Sequence, residues 1–122
     1  MTSTDLIEHM KPMLDDLLER LAQEQRTAAE NARTVTLDQS SVGRLSRMDA
    51  MQQQAMAQAS MQRLQLQQRR LEAALQRVQQ GTYGNCCECG GSIGLERLLS
   101  DPAAPFCMDC QTERDVERKA AR

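Results

Sequence analysis

The chain has 122 residues, 40% of them apolar, yet it contains only one Phe, one Tyr and no Trp. Leu, Met and Ala supply most of the apolar content, and these residues favour helices over sheets, which excludes an aromatic-packed β fold. The 15 basic and 17 acidic residues give a net charge of −2, which argues against a protein that wraps a nucleic acid backbone.

The first predicted element is a helix with a coiled-coil seam, because apolar residues recur from Ile7 to Leu21 in alternating steps of three and four. Pro12 interrupts this pattern, since a proline inside a helix removes one hydrogen bond and clashes with the preceding turn. We therefore expect a short N-terminal turn and a helix that begins near Lys11, with Pro12 at its first position. The alternative is a single helix that is kinked at Pro12.

The second predicted element is a longer helix. Periodicity fails across residues 34–46, where Thr residues, a Ser pair and Gly43 predict a turn or a loose tip. Beyond Ser46 no Gly or Pro occurs before Gly81, which predicts a helix of about 35 residues, or about 50 Å. Such a helix cannot bury its apolar stripe alone, so we expect the first helix to pair with it. The predicted seam residues of this helix are Met61, Leu64, Leu71, Leu75 and Val78.

These elements predict a mainly α fold with two parts. Residues 1–80 form a long antiparallel coiled-coil hairpin with its tip at about residues 36–48, and residues 81–122 form a cysteine-rich module with a short C-terminal helix. Charged residues interrupt the first apolar cluster, so we expect neither a secretory signal nor a membrane span. The expected location is the cytoplasm.

The five cysteines all lie between residues 86 and 110. Two pairs have the Cys-x-x-Cys spacing, Cys86 with Cys89 and Cys107 with Cys110, and 17 residues separate the pairs. Each such turn directs two thiolates at one ion, and two turns complete the tetrahedral shell of a structural zinc. Because cytoplasmic thiols stay reduced, this pattern predicts one structural zinc ion rather than disulfides.

Cys87 is then the spare cysteine, because pairing it with Cys89 would leave a single residue between two ligands. It is either an exposed thiol without a role or a redox-sensitive thiol whose oxidation releases the metal. Four ligands leave no open position for a substrate, and His9, the single histidine, is far away in sequence. We therefore expect no enzyme activity. A Cys-x-x-Cys redox enzyme is the alternative on this point.

Residues from Gly81 onward resemble the signature of the DksA/TraR transcription factors. The matching positions are Tyr83, Gly84, Cys86, Cys89, Gly90, Ile93, Arg97, Leu98, Pro102, Cys107 and Cys110. The resemblance implies that Cys86, and not Cys87, is a zinc ligand.

The resemblance also implies a function. Members of this family bind bacterial RNA polymerase directly and insert their coiled coil into the secondary channel. There they alter promoter complexes, including those of ribosomal RNA genes, often together with ppGpp in the stringent response. We therefore expect a monomer that binds polymerase, with no direct sequence-specific DNA contact and no membrane partner. A zinc-stapled helical adaptor with another protein partner is the alternative.

Two features of this sequence depart from the family pattern. Family members carry an acidic residue and an alanine at the tip, and the candidate tip positions here are Asp38, Ser46, Arg47, Met48, Asp49 and Ala50. Basic residues that help to hold ppGpp in responsive members correspond to Asp101 and Gln111, while Arg70 remains basic. We therefore expect weak or absent cooperation with ppGpp.

Overall fold

The computed structural model describes residues 3–42 and 47–120. Its helices are α1 (Ser3–Val42), α2 (Arg47–Gln80), α3 (Leu95–Ser100) and α4 (Met108–Ala120). Within the described ranges, β-type pairing is limited to one isolated antiparallel bridge between Asn85 and Ser92. The predicted mainly α fold is confirmed. None of the helices in these ranges combines the length and apolar character that a membrane crossing requires.

The predicted start of the first helix is wrong. Helix α1 begins at Ser3 rather than near Lys11, and Pro12 lies inside it. A proline at this position leaves the carbonyl of Glu8 without its helical partner. Glu8 and Pro12 are both exposed, so water can reach that carbonyl. Met10, which precedes the proline on the apolar face of α1, is fully buried. Its packing stabilises the first turns of the helix.

The predicted break in helical structure at residue 34 is also wrong, because α1 continues to Val42. The β-branched residues in this stretch lower helix propensity by only a few tenths of a kcal/mol each, and no Gly or Pro interrupts the chain before Gly43. Helix α2 begins at Arg47 and ends at Gln80, close to the predicted length. Ser46, the expected start of that helix, lies outside the described residues.

The chain divides into two compact units. The first combines Met1–Leu17 with Arg70–Arg122, and the second is Leu18–Arg69. This division crosses both long helices, whereas the predicted boundary at residue 80 follows the end of α2. The domain boundary at residue 80 stays a prediction.

Helices α1 and α2 run antiparallel. In the second unit, Gln25 Nε2 of α1 donates a hydrogen bond to Gln68 Oε1 of α2 at 2.8 Å. In the first unit, Leu6 near the start of α1 lies beside Gly84, which follows the end of α2. Early positions of α1 therefore meet late positions of the hairpin, and the predicted antiparallel helical hairpin is confirmed.

Buried apolar side chains are concentrated in the first unit. The largest fully buried side chains are those of Met10, Leu14 and Leu98. The other buried apolar residues of this unit are Leu71, Ala74, Val78, Tyr83, Cys86, Ile93, Ala103, Ala104 and Cys110. In the second unit, Leu21 is the one buried apolar side chain among those that the structure describes. The apolar core therefore lies where α1 begins, α2 ends and the cysteine module follows.

The backbone conformation at position 84 and the side chain of Leu6 beside it both favour glycine. Its φ is +91°, and an added Cβ would lie 2.6 Å from Leu6 Cδ2. We expect Gly84→Ala to lower the free energy of unfolding by about 1–3 kcal/mol, mainly through backbone strain at a positive φ, because the end of the Leu6 side chain can shift away from the added Cβ. Chemical denaturation measures this change.

Gly81→Ala is the matched control for Gly84→Ala. Gly81 also has a positive φ, +77°, but an added Cβ there would meet nothing within 4 Å. This control should cost about 1 kcal/mol, the cost of strain alone. A smaller loss for Gly84→Ala than for Gly81→Ala would contradict a close Leu6–Gly84 contact.

Candidate metal centre

The first Cys-x-x-Cys turn begins at Cys86, two residues after Gly84. Gly90 N–H donates to the Cys86 carbonyl at 3.0 Å, which closes the turn. Gly91 N–H points at the Cys89 sulfur, with an N···Sγ distance of 3.4 Å. Gly90 has a φ of +74°, a conformation that glycine adopts without strain. The two glycines therefore let the backbone curl around the side of the cluster that carries Cys89.

A short backbone ladder closes the loop that holds the first cysteine pair. Cys86 N–H donates to the Gly91 carbonyl at 2.7 Å, and Ile93 N–H donates to the Gly84 carbonyl at 2.9 Å. These bonds flank the isolated bridge between Asn85 and Ser92. The position of the Cys86 sulfur is thus fixed by backbone pairing on both sides of the turn.

The second cysteine pair lies at the start of α4. Cys107 immediately precedes this helix and Cys110 lies in its first turn. Gln111 N–H donates to the Cys107 carbonyl at 2.9 Å, the hydrogen bond that initiates helical structure. The helical turn brings Cys107 and Cys110 to the same side of the chain.

Two hydrogen bonds connect earlier segments of the module to the residues just before Cys107. Cys87 N–H donates to the Pro105 carbonyl at 2.9 Å. Arg97 Nε donates to the Phe106 carbonyl at 2.8 Å. These bonds hold the first cysteine pair and α3 against the residues just before Cys107.

The four predicted ligands come together in space. The sulfur atoms of Cys86, Cys89, Cys107 and Cys110 all lie within 4.8 Å of one another, and those of Cys89 and Cys107 are 3.9 Å apart. A tetrahedral zinc with bonds of about 2.3 Å to sulfur separates its ligands by about 3.8 Å. The spacing of this cluster fits such an ion, and its sulfur atoms are the ligands that structural zinc prefers.

The thiols of the cluster have unequal acidity. The backbone N–H of Cys89, with smaller contributions from other backbone N–H groups, lowers the pKa of the Cys86 thiol to about 6. Hydrogen bonding to the Cys107 sulfur raises the pKa of the Cys110 thiol, and burial raises it further. Four sulfurs this close cannot all carry a negative charge without a cation between them. The cluster therefore favours a divalent metal that stabilises all four thiolates.

Cys87 lies outside the cluster. Its side chain is exposed, whereas Cys86 and Cys110 are buried. Its backbone N–H bonds to Pro105, so the residue joins the halves of the module through its main chain. The role of the Cys87 thiol in redox chemistry stays a prediction.

Two aromatic residues anchor the module, Tyr83, which belongs to the family signature, and Phe106, which no sequence pattern singled out. Tyr83 is 2% exposed, and its hydroxyl donates to the Pro102 carbonyl at 2.7 Å. Burial raises the pKa of Tyr83 to about 12. The Phe106 ring lies 4.0 Å from the Arg114 guanidinium carbon. The available signal was that the sole Tyr and the sole Phe both lie beside the cysteines.

Helix α4 is held against the module by a charged residue. The Arg114 guanidinium that lies over Phe106 also bonds to Glu88 Oε2 at 3.0 Å. Both partners of this ion pair are almost half exposed, so its contribution is screened by water. The cation–π contact and the ion pair are thus two contacts between α4 and the rest of the module.

Five of the six candidate tip residues, Asp38, Arg47, Met48, Asp49 and Ala50, belong to described parts of the second unit. Arg47, Met48 and Asp49 are exposed in the first turn of α2, and Ala50 is half-buried. Asp38 lies in α1, in a stretch whose side chains the structure does not describe, and Ser46 lies outside the described residues. Their function as a tip stays a prediction.

The candidate nucleotide-binding position is occupied by an internal ion pair. Arg70 Nη2 of α2 and Asp101 Oδ2, just after α3, are 2.7 Å apart. Both side chains are about two-fifths exposed, at 41% and 40%. The basic side chain at this position is therefore already paired with a carboxylate.

Comparison with known proteins gives a family match to the cysteine module. Residues 81–115 match the model of the prokaryotic dksA/traR C4-type zinc finger. With the cluster geometry, this match confirms the prediction of one structural zinc. The resemblance to the DksA/TraR family is confirmed as well.

Curated relatives match over a short segment. The RNA polymerase-binding transcription factor DksA of Escherichia coli K12 is 38% identical over 45 residues, which cover 37% of this chain and 30% of that protein. The Haemophilus influenzae protein of the same name is 36% identical over 45 residues, 37% of this chain and 31% of its own length. The matched segment thus spans about a third of these relatives.

A solved structure matches over most of the chain. The transcription factor DksA2 from Pseudomonas aeruginosa aligns with a TM-score of 0.67 at 26% identity. The alignment covers 92% of this chain and 88% of that protein. The structural likeness therefore extends well beyond the 45 residues over which the curated relatives match.

Proposed function

Because this chain is a DksA-like protein with a dksA/traR C4-type zinc finger, we propose that it binds bacterial RNA polymerase directly and regulates the initiation of transcription. The observation that carries this proposal is the alignment with DksA2 over 92% of the chain, which includes the helical hairpin as well as the finger. The E. coli and H. influenzae relatives are named for polymerase binding. The protein acts by binding and catalyses no reaction of its own.

The zinc finger is the structural support in this proposal. Cys86, Cys89, Cys107 and Cys110 are the proposed ligands, and they fill all four positions of a tetrahedral ion. No position is left for water or substrate, so the metal serves to fold the module. The module meets the start of α1 through Leu6 and Gly84, which are in close contact. Metal binding therefore also stabilises the end of the hairpin at which α1 begins.

The helical tip is the proposed effector. By resemblance to the family, the hairpin enters the secondary channel of the polymerase and brings its tip towards the active centre. The exposure of Arg47, Met48 and Asp49 at the start of α2 supports this role. Asp38, Ser46 and Ala50 complete the proposed tip. Ribosomal RNA promoters are among the proposed targets.

The proposed partner is a protein rather than DNA. A DNA-binding protein neutralises phosphates with clustered Lys and Arg, whereas this chain has a net charge of −2. The cytoplasm, where the polymerase acts, is the proposed location.

We further propose that ppGpp cooperates weakly with this protein. The Arg70–Asp101 ion pair places a carboxylate where responsive family members carry a basic residue. A carboxylate repels the phosphates of the nucleotide and also neutralises the neighbouring guanidinium. Gln111 at the second position adds no positive charge.

The Asp101→Arg variant tests this charge argument. It should increase the affinity of the protein–polymerase complex for ppGpp at least about tenfold, because it removes one carboxylate and adds a bidentate phosphate ligand. Asp101→Asn, which only frees Arg70, should give a smaller increase. Equilibrium binding of labelled ppGpp to the complex measures both effects.

Glu117→Arg is the control for net charge in that titration. Glu117 is exposed on α4, so its reversal changes the total charge of the protein without removing a partner of Arg70. It should leave ppGpp affinity unchanged. Strong ppGpp enhancement with the unmodified protein would contradict the proposal of weak cooperation.

Co-purification tests the polymerase partnership. The tagged protein should retain core RNA polymerase, and an established secondary-channel binder should displace it in a concentration-dependent way. Retention without competition would place the binding site elsewhere on the polymerase. Failure to retain polymerase, with another protein bound instead, would favour the adaptor function.

A further inference from the structure

An open cleft lies between the last turns of α2 and the loop that carries the first cysteine pair. We call it the α2 cleft and define it by six of its lining residues, Gln76, Arg77 and Gln80 on α2 and Thr82, Asn85 and Cys87 on the loop. Its volume of about 570 Å³ is within the range of about 300–1,000 Å³ that is usual for small-molecule sites. The whole cleft belongs to the first unit.

The guanidinium of Arg77, on the wall of this cleft, lacks hydrogen-bond acceptors. Its Nε and Nη2 atoms are buried and have no partner among the residues that the structure describes. Arg70 and Arg114 of the same unit each bond to a carboxylate, at 2.7 and 3.0 Å. An arginine side chain is always charged, and a buried charged donor without an acceptor is costly. Water accepts such bonds but brings no negative charge, so an anion is the partner that Arg77 lacks.

Neighbouring groups do not supply that negative charge. Among the described residues that line the α2 cleft, none is acidic. Burial raises the pKa of Tyr83 to about 12, although the nearby charge of Arg77 lowers it, so the phenol is neutral at physiological pH. The dipole at the end of α2 favours a basic residue in the last turn, which accounts for the charge of Arg77. It does not provide acceptors for the buried nitrogens, since the Arg77 carbonyl already accepts from Thr82 N–H at 2.9 Å.

The charge and the other lining groups of the cleft define the class of ligand. A single guanidinium matches a single negative charge, whereas a phosphate monoester carries nearly two at neutral pH. The planar guanidinium also fits a carboxylate through two parallel hydrogen bonds. The exposed side chains of Gln76, Gln80 and Asn85 carry amides that both donate and accept, so they suit polar groups elsewhere on the ligand.

We propose that the α2 cleft binds a small polar monocarboxylate, with Arg77 as the anchor of its carboxylate group. Because Nε and Nη2 are buried, the guanidinium turns about its terminal bonds to present them to the ligand. The side-chain amides of Gln76 and Gln80 hold the polar remainder.

The α2 cleft is separate from the candidate nucleotide-binding position. Arg77 lies about two helical turns after Arg70 on α2, and neither Arg70 nor Asp101 lines the cleft. The proposed carboxylate site therefore stands on the first unit alone and does not depend on polymerase binding.

An NMR titration of the zinc-loaded full chain with N-acetylglycine tests this site. The probe has one carboxylate and one amide, and so small a ligand should bind with a Kd of about 1–10 mM. The largest changes should fall on Gln80, Thr82 and Asn85 and on the Nε–H signal of Arg77. The neutral analogue N-acetylglycinamide and inorganic phosphate should each bind at least about tenfold more weakly, because neither matches one guanidinium in charge.

Two substitutions on neighbouring glutamines provide a matched pair. Gln80→Glu places a competing carboxylate in the α2 cleft and should weaken N-acetylglycine binding at least about tenfold. Gln79→Glu makes the same change at an exposed residue that does not line the cleft, and the Kd should stay within about twofold. Both positions are exposed, so this comparison holds even where Arg77→Gln disturbs folding.

Substitution of the anchor tests its role directly. Arg77→Gln should abolish detectable binding, whereas Arg118→Gln, which removes the same charge from an exposed position on α4, should leave the Kd unchanged. Circular dichroism and zinc content confirm that each variant is folded. The proposal would be overturned by absence of N-acetylglycine binding at about 50 mM, or by equally tight binding of the neutral analogue or of phosphate. Equal Kd values for Gln80→Glu and Gln79→Glu would overturn it as well.

Discussion

Removal of zinc is expected to unfold the cysteine module of this protein. In comparable peptides zinc binding supplies about 10–16 kcal/mol of folding free energy. The module holds few large apolar residues of its own, so burial cannot replace that contribution. Cys86→Ser should have the same effect as chelation, because it removes one of four ligands. The chain has one Tyr, one Phe and no Trp, so its fluorescence comes mainly from Tyr83. The emission of Tyr83 should report the loss of its buried environment.

Cys87→Ser is the matched control for the ligand substitution. Cys87 is exposed and adjacent to Cys86, but its sulfur lies outside the cluster. This variant should bind one zinc per chain and keep the thermal stability of the unmodified protein. Zinc loss in Cys87→Ser together with retention in Cys86→Ser would show that the wrong cysteine has been assigned.

The second large effect is expected from the core. Leu14 is fully buried on α1, in the unit that also contains the end of α2. We expect Leu14→Ala to lower the free energy of unfolding by about 2–5 kcal/mol, through lost burial and the cavity that remains. Denaturant titration of the zinc-loaded protein measures the loss.

Leu99→Ala makes the same chemical change at an exposed site. Leu99 is 45% exposed on α3, so this variant should cost no more than about 1 kcal/mol. A cost for Leu14→Ala as small as that for Leu99→Ala would mean that α1 does not pack against the rest of the first unit.

The sequence predicted the helical fold because its seams are regular. Met10, Leu14 and Leu21 of the first seam are buried, as are Leu71 and Val78 of the second. The buried Ala74 was not predicted, because alanine gives a weak periodic signal. Periodicity reports which face is apolar, whereas a small residue is buried only when the opposing helix comes close.

The ends of the helices were harder to predict than their faces. Pro12 indicated a helix start, but the buried Met10 before it holds the helical turn in place. The Thr and Ser residues from position 34 indicated a break, but the helix continues to Val42. The cost of the β-branched residues is small and that of Pro12 is about 3 kcal/mol, and both are outweighed by the packing and cooperativity of a long helix.

The cysteine cluster was the most predictable part of the site, because two Cys-x-x-Cys turns specify a tetrahedral metal. Its supporting contacts could not be predicted. The bond from Arg97 to the Phe106 carbonyl and the pairing of Arg70 with Asp101 depend on how separate segments meet. A single sequence holds no periodic signal for contacts of that kind.

Site-specific cross-linking tests most directly the proposal that the helical tip acts inside the polymerase. A photoreactive residue at Arg47, at the start of α2, should cross-link to the polymerase beside its active centre. The same group at Glu117, on α4, should cross-link only outside the channel. If the protein binds polymerase but the Arg47 probe reaches only the outer surface, insertion of the hairpin is contradicted.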